Sequence, residues 1–263
     1  MWQYLYQHPE IFMSRVKEPH YFSRNEPTVV TPVKDEQSYL RLFSGSSSYR
    51  LRGEASPSYL RDSETPARVR HRSPGAKIVI ILRDPVARAE SAYWHAVRYG
   101  LEERTLQEAI EAALAERSPT AGRYLQSGFY AEAVERWLET FPDSVLILLF
   151  DELVADIRSE MESVFRFLEV DSTFAERLDT GARNRSSLPR NSLVARLYRS
   201  RAVRELGGRL VPLSAQPSLE RALLSRPAQR KLGPDLRREV GARFAADVER
   251  LERTLGRPLP WGG

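Results

Sequence analysis

Two apolar runs constrain this chain more than any other feature: Lys77-Ile-Val-Ile-Ile-Leu82 and Ser144-Val-Leu-Ile-Leu-Leu-Phe150. Neither alternates polar with apolar residues, so both predict strands covered on two faces, as in a parallel sheet between helices. Each runs into a helix start. Asp84 stands where an N-cap belongs, with Pro85 at the first helical position. Asp151 and Asp156 are cap candidates ahead of the apolar pattern Met161, Val164, Phe165, Leu168. Between the runs lie two amphipathic segments, Leu106–Arg117 and Tyr130–Thr140, and strand, helices, strand is the pattern of an α/β fold with a central parallel sheet flanked by helices. Arg50–Glu54 is a weaker strand prediction and Thr28–Val33 weaker again. Beyond about Asp171 strand signals stop. Leu193–Leu206, Leu219–Ser225 and Asp235–Leu255 read as helices, the last with apolar positions Val240, Phe244, Val248, Leu251 and Leu255. The expected organisation is one domain over 1–263, with an α/β core over 1–170 and a mostly helical C-terminal part over 171–263.

Composition excludes several classes. The longest apolar runs are much too short to span a bilayer, and no opening segment has the basic-then-apolar layout of a signal peptide. The absence of cysteine removes disulfide frameworks and thiolate metal sites, and fits a cytoplasmic setting. The four histidines, His8, His20, His71 and His95, show no metal-ligand spacing, so no metal is expected. The net charge of +5 conceals an imbalance, since all 40 basic residues except Lys17, Lys34, Lys77 and Lys231 are arginine. GC-rich coding accounts for most of that excess. The remainder suits a polyanionic ligand through bidentate pairing. Nucleic acid is not expected, because no recognised binding motif is present and the aromatics fall at helical core spacings.

The segment Ile80-Ile-Leu-Arg-Asp-Pro-Val-Ala-Arg-Ala-Glu-Ser91 carries the first functional suggestion. A buried strand delivers Arg83 to its carboxyl end, where open α/β sheets bind ligands, and the following helix carries Ser91 two turns further on. A guanidinium and a hydroxyl converging there could grip one phosphate. The residues alone leave open a local pairing of Arg83 with Asp84 or a helix end, with Ser91 filling space.

Taken with Arg88 and Ser91, Leu-Arg-Asp-Pro resembles the 3′-phosphate-binding motif of the PAPS-dependent sulfotransferases, which use 3′-phosphoadenosine 5′-phosphosulfate as donor. The likeness is to the branch holding bacterial enzymes and heparan sulfate sulfotransferases. Other segments agree in order. Val16-Lys-Glu-Pro-His-Tyr-Phe22 resembles the family's catalytic segment, and Gly53-Glu-Ala-Ser-Pro-Ser-Tyr59 its second conserved turn. Ser127-Gly-Phe-Tyr130 with Trp137 and Phe141, Phe167-Leu168, and Leu255-Gly256 with Trp261 resemble later landmarks, so the likeness runs from about Gln7 to Trp261.

The resemblance implies a P-loop-like fold and transfer of a sulfuryl group from PAPS to a hydroxyl or amine of a small-molecule, lipid or carbohydrate acceptor, leaving 3′-phosphoadenosine 5′-phosphate (PAP), without a metal. Arg83 and Ser91 would bind the 3′-phosphate, with Arg183-Asn-Arg185 and Arg190 closing over the nucleotide. Glu18 would be the general base. Pro19 biases Glu18 away from helical dihedrals and toward an extended or turn geometry, and an extended segment would put Glu18 and His20 on one face. His20 could then orient the acceptor or share in proton transfer, and Lys17 could meet the departing charge or hold Glu18 ionised. Read without the resemblance, Lys-Glu-Pro is also an ordinary surface turn. Glu54 is a further candidate for orienting substrate or positioning Arg83, its default being a satisfied strand-end carboxylate. Ala55 stands where some branches carry lysine, a departure from the heparan-type pattern.

The family opens with a strand and a Pro-Lys-x-Gly-Thr-Thr-type loop that holds the 5′-phosphosulfate. Here Met1–Pro9 resembles only the back half of the following helix; no Gly precedes Gly45 and no Thr precedes Thr28. A start placed too late is the expected cause, with a remnant that lost catalysis as the alternative. On either account the chain as given is expected to bind PAPS poorly and to expose an unpaired strand edge. Two rival functions share the fold: a non-catalytic nucleotide- or polyanion-binding module, and a P-loop nucleotide kinase.

Overall fold

The structure, a computed structural model, describes residues 1–24, 32–116, 119–181, 188–189, 224–225 and 231–261. The chain forms two compact units, Met1–Arg83 with Glu132–Arg183, and Asp84–Ala131 with Asn184–Gly263.

The first unit holds the parallel strands. β1 (Ile11–Met13) pairs with β2 (Leu51–Gly53), Met13 opposite Gly53. The two backbones are close enough at that point that a Cβ on Gly53 would stand 2.9 Å from the Met13 sulfur. β3 (Ile78–Leu82) pairs in parallel with β4 (Val145–Leu149), from Ile78 opposite Val145 to Leu82 opposite Leu149. These are the two strands predicted from the unalternating runs, paired with each other. β1 was not anticipated, and β2 falls within the weaker prediction at Arg50–Glu54.

Helices α1 (Trp2–Leu5), α2 (Glu36–Arg41), α3 (Ser58–Arg61) and α4 (Thr65–Arg72) also belong to this unit. The longest helix in its core lies further on, at Ile157–Leu168. Its Met161, Val164 and Phe165 are fully buried against Trp2, Leu5, Ile11, Met13 and Leu148, so one apolar cluster reaches both strand pairs. Asp156 starts this helix by accepting from the Ser159 N–H at 3.1 Å. Lys77 marks its end, donating to the Phe167 carbonyl at 2.6 Å and pairing with Glu169 at 2.7 Å. A cation is favourable there because the last carbonyls of a helix lack intrahelical partners.

The second unit is built on α5 (Pro85–Arg98), α6 (Leu106–Leu114), α7 (Pro119–Gln126) and a long C-terminal helix, Pro234–Leu255. Asp84 caps α5, accepting from the Val86 N–H at 2.8 Å, with Pro85 at the first turn as predicted. The buried face of α5 is Val86, Ala89, Tyr93 and Ala96, joined in one core by Ile110, Tyr124, Val240 and Phe244. The Phe244 ring fills the space left by Gly128, where a Cβ would meet it at 2.8 Å. Arg237 ties the C-terminal helix to the start of α5, 2.6 Å from Asp84 and 3.6 Å from Glu90. β5 (Leu188–Pro189) and β6 (Leu224–Ser225) form an antiparallel pair. That pair corrects two expectations: strands do not stop at Asp171, and the helix predicted over Leu219–Ser225 does not include Leu224 and Ser225. Tertiary pairing overrides the local helical preference there. The helix predicted over Leu193–Leu206 lies outside the described residues.

A buried ion-pair network stiffens the same unit. The Glu102 carboxylate receives the Arg104 side chain at 2.9 and 2.7 Å, the Tyr124 hydroxyl at 2.9 Å, and the backbone N–H groups of Glu103 and Arg104 at 3.0 Å each. Among the described residues no helix is long and apolar enough to cross a membrane.

Candidate active site

The chain leaving β1 turns sharply at Lys17-Glu18-Pro19-His20. Pro19 disfavours the right-handed helical region for Glu18, leaving extended and left-handed conformations. Glu18 takes the left-handed one, with φ +59°, and His20 does the same, with φ +52°. Of the two geometries Pro19 favours, extended or turn, the chain takes the turn. Non-glycine residues at such angles cost on the order of 1 kcal/mol each and persist where surrounding bonds over-determine them. Those bonds are present. The His20 N–H donates to Ser56 Oγ at 3.0 Å, and the Pro19 carbonyl accepts from the Val33 N–H at 2.8 Å.

The turn brings the three predicted side chains together. Lys17 Nζ stands 3.8 Å from Glu18 Oε1, and His20 Nε2 stands 3.7 Å from Glu18 Oε2. Their environments differ: the Lys17 and Glu18 side chains are 47% and 31% exposed, the His20 side chain 4%. His20 Nδ1 is held by Ser58 Oγ at 2.6 Å, whereas its Nε2 is buried, makes no hydrogen bond and faces the carboxylate. A buried imidazole fixed through one nitrogen, with the other toward a half-exposed carboxylate, can orient that carboxylate or exchange a proton with it.

Beneath the turn lies Glu54, the residue that follows β2. Its carboxylate accepts from Tyr59 OH at 2.6 Å, Ser56 Oγ at 2.7 Å and Tyr39 OH at 3.2 Å. Burial raises the Glu54 carboxyl above the usual range, against the opposing pull of those three hydroxyls and of His20. Burial, and then the Glu54 charge, likewise push up the Tyr39 and Tyr59 phenols. The Tyr21 ring stacks on Tyr39 at 4.2 Å. Glu54 is thus a satisfied strand-end carboxylate, as its default reading has it, and its partners reach into the turn. Ser56, Ser58, Tyr39 and Tyr59 were not singled out from the sequence as individual site residues. The signal for three of them was the Gly53–Tyr59 segment; Tyr39 offered none.

Arg83 follows β3 at its carboxyl end, with its guanidinium 4.8 Å from the centre of the Phe150 ring. Asp84 is engaged by the helix start and by Arg237. Ser91 lies half-buried on α5, in the second unit, while Arg83 closes a segment of the first. Arg183, Asn184, Arg185 and Arg190 lie outside the described residues, as do 28–31 of the weaker strand prediction Thr28–Val33. Among the described residues no group of three or more His, Asp or Glu side chains is arranged to hold a metal ion.

Comparison with known proteins shows what the chain is similar to. Residues 9–188 match the family described as "Sulfotransferase domain". A human heparan sulfate glucosamine 3-O-sulfotransferase 3B1 is 29% identical over 168 residues, covering 63% of this chain and 41% of that protein. The mouse 3B1 protein is 31% identical over 173 residues, with the same coverage of 63% and 41%. The human bifunctional heparan sulfate N-deacetylase/N-sulfotransferase 3 is 36% identical over 126 residues, 44% of this chain and 14% of that protein. This chain thus matches about two-fifths of the length of the 3-O-sulfotransferase relatives. Among solved structures, a sulfotransferase from Alicyclobacillus acidocaldarius superposes with a TM-score of 0.70 at 29% identity, over 98% of this chain and 90% of that one.

Proposed function

Because the chain belongs to the sulfotransferase family, we propose that it moves a sulfuryl group from PAPS to a hydroxyl or amine, with carbohydrates the first class of acceptor to test. The names of the relatives, which include heparan sulfate 3-O- and N-sulfotransferases, support that class. In this reading Glu18 takes the proton from the acceptor as the new bond to sulfur forms and the sulfur–oxygen bond to the 5′-phosphate breaks. His20, fixed by Ser58, holds the Glu18 carboxylate in place, and Lys17 keeps it ionised or meets the developing charge. Positioning and electrostatics do most of the work in such transfers, by analogy with phosphoryl transfer.

The donor, when bound, supplies the activated sulfuryl group and departs as PAP. The family motif that Leu-Arg-Asp-Pro with Ser91 resembles assigns Arg83 and Ser91 to the donor's 3′-phosphate, and a guanidinium and a hydroxyl are suitable donors for such a group. No step in this reading calls for a metal.

The single observation that carries the proposal is the strained Glu18–His20 turn, in which a buried imidazole nitrogen without a hydrogen bond faces a half-exposed carboxylate. The test is transfer of label from PAPS to a panel of carbohydrate acceptors by the full-length protein. Glu18→Gln is expected to lower kcat by about 10²- to 10⁴-fold while leaving PAP affinity unchanged. Arg83→Ala is expected to weaken PAP binding. PAP binding without transfer, indifferent to Glu18→Gln, would mean a non-catalytic nucleotide module instead.

A further inference from the structure

Two hydroxyl bridges connect the buried Glu54 carboxylate to the backbone at His20, in the Glu18–His20 turn, and at Phe22 just after it. Ser56 Oγ donates its proton to Glu54 at 2.7 Å and accepts the His20 N–H at 3.0 Å. Tyr59 OH donates to Glu54 at 2.6 Å and accepts the Phe22 N–H at 3.2 Å. A hydroxyl has one proton and two lone pairs. Once its proton is committed to the carboxylate, its lone pairs are committed to the backbone donors. The acceptor at position 54 therefore sets the polarity of both bridges, and such chains strengthen when every member is satisfied. The bridges end on either side of Tyr21, one at His20 within the turn and one at Phe22 two residues past it. His20 is in a conformation that needs outside support.

We infer that Glu54 is a positioning residue for the Glu18–His20 pair, acting through Ser56 and Tyr59 on the backbone that carries the imidazole. It touches neither substrate nor reacting atoms. The inference rests on the reading of Glu18 as proton acceptor only for its consequence on rate; its geometric content can be measured without turnover.

The experiment compares Glu54→Gln, Ser56→Ala, Ser56→Thr and Tyr59→Phe with the parent full-length protein in two ways. The first is steady-state transfer from labelled PAPS. Ser56→Ala and Tyr59→Phe are each expected to lower kcat by about tenfold to a hundredfold, the scale on which small misplacements act, with both KM values within about twofold. Ser56→Thr, which keeps the hydroxyl, restores most of the rate. Adding Ser56→Ala to Glu54→Gln costs little more than Glu54→Gln alone, because both break one chain. The second readout is the set of His20 ring resonances in nitrogen-15 spectra, assigned by their loss in His20→Asn. These should move in Glu54→Gln and in Ser56→Ala, and return in Ser56→Thr.

Unmoved His20 resonances, or kcat unchanged within twofold in both bridge variants, would overturn the inference. Should Glu18→Gln retain parental transfer while the His20 resonances still respond to Ser56→Ala, the base assignment falls and the positioning role stands. Ser56→Ala and Tyr59→Phe delete one oxygen each, so they decide the matter even if Glu54→Gln fails to fold.

Discussion

Replacing Glu102 by glutamine tests the electrostatic account of the second unit with the largest expected signal. The Glu102 side chain is 4% exposed and receives five hydrogen bonds, two of them from the Arg104 guanidinium. Burial alone would push its carboxyl up, but the Arg104 side chain and backbone, with the Tyr124 hydroxyl, outweigh it and hold the group at about 2 rather than 4.5. Converted at the standard rate per tenfold change, that displacement is worth about 3 kcal/mol of folding stability. The folded value lies below the unfolded one, so this contribution is complete above about 4.5 and is lost as pH falls toward about 2. The measurement is urea unfolding, followed by tryptophan fluorescence at several pH values, for Glu102→Gln beside the parent protein. Other carboxylates titrate in the same range, so the diagnostic quantity is the difference between the two proteins. That difference should reach about 3 kcal/mol at pH 7 as a ceiling, shrink below pH 4.5, and nearly vanish by pH 2. A gap that stays constant from pH 7 to pH 3 would refute the reasoning, because it would trace the loss to packing rather than to charge.

Two further outcomes follow from buried contacts. Gly128→Ala should cost roughly 1–3 kcal/mol, read as a lower urea midpoint, since the new methyl would sit 2.8 Å from the Phe244 ring and 3.1 Å from the Pro85 Cβ; Phe244→Leu on the same background should recover part of it. Glu54→Gln should show the opposite pH dependence to Glu102→Gln: the parent protein loses stability relative to the variant as pH rises above about 4.5, because burial raises the folded-state carboxyl value. A stability gap between parent and Glu54→Gln that does not change with pH would contradict that assignment.

The fold was legible where the sequence carries an apolar pattern long enough to read. β3 and β4 are five-residue strands, and their unbroken Ile, Val and Leu content identified both. The C-terminal helix was legible from Val240, Phe244 and Leu251, all buried. β1 was not, because three residues with Phe12 only half-buried show no pattern that distinguishes a strand from a loop. β5 and β6 are two residues each and exist through their partners. At the site, the sequence named Lys17, Glu18 and His20 together, and the turn places Lys17 3.8 Å and His20 3.7 Å from Glu18. The backbone that makes them meet could not be read, because the left-handed angles are held by Ser56 and Val33, far along the chain. The hub beneath them was less legible still. Tyr39 reaches Glu54 across fifteen positions with no motif to announce it.

Glu54 and Glu102 together show what decides the state of a buried carboxylate in this protein. Each accepts at least three hydrogen bonds, and each bears a burial penalty. Glu102 has a guanidinium in direct contact, and a charge-assisted fork is roughly twice as strong per bond as a neutral donor. Its carboxyl value falls. Glu54 is held by three neutral hydroxyls, which do not recover the cost of burial, and its value rises. An ionised Glu54 therefore works against the fold, whereas an ionised Glu102 works for it. A residue that costs stability in its charged form, and whose hydrogen bonds run through two hydroxyls to the backbone at His20 and Phe22, has its rationale in the Glu18–His20 turn rather than in the core.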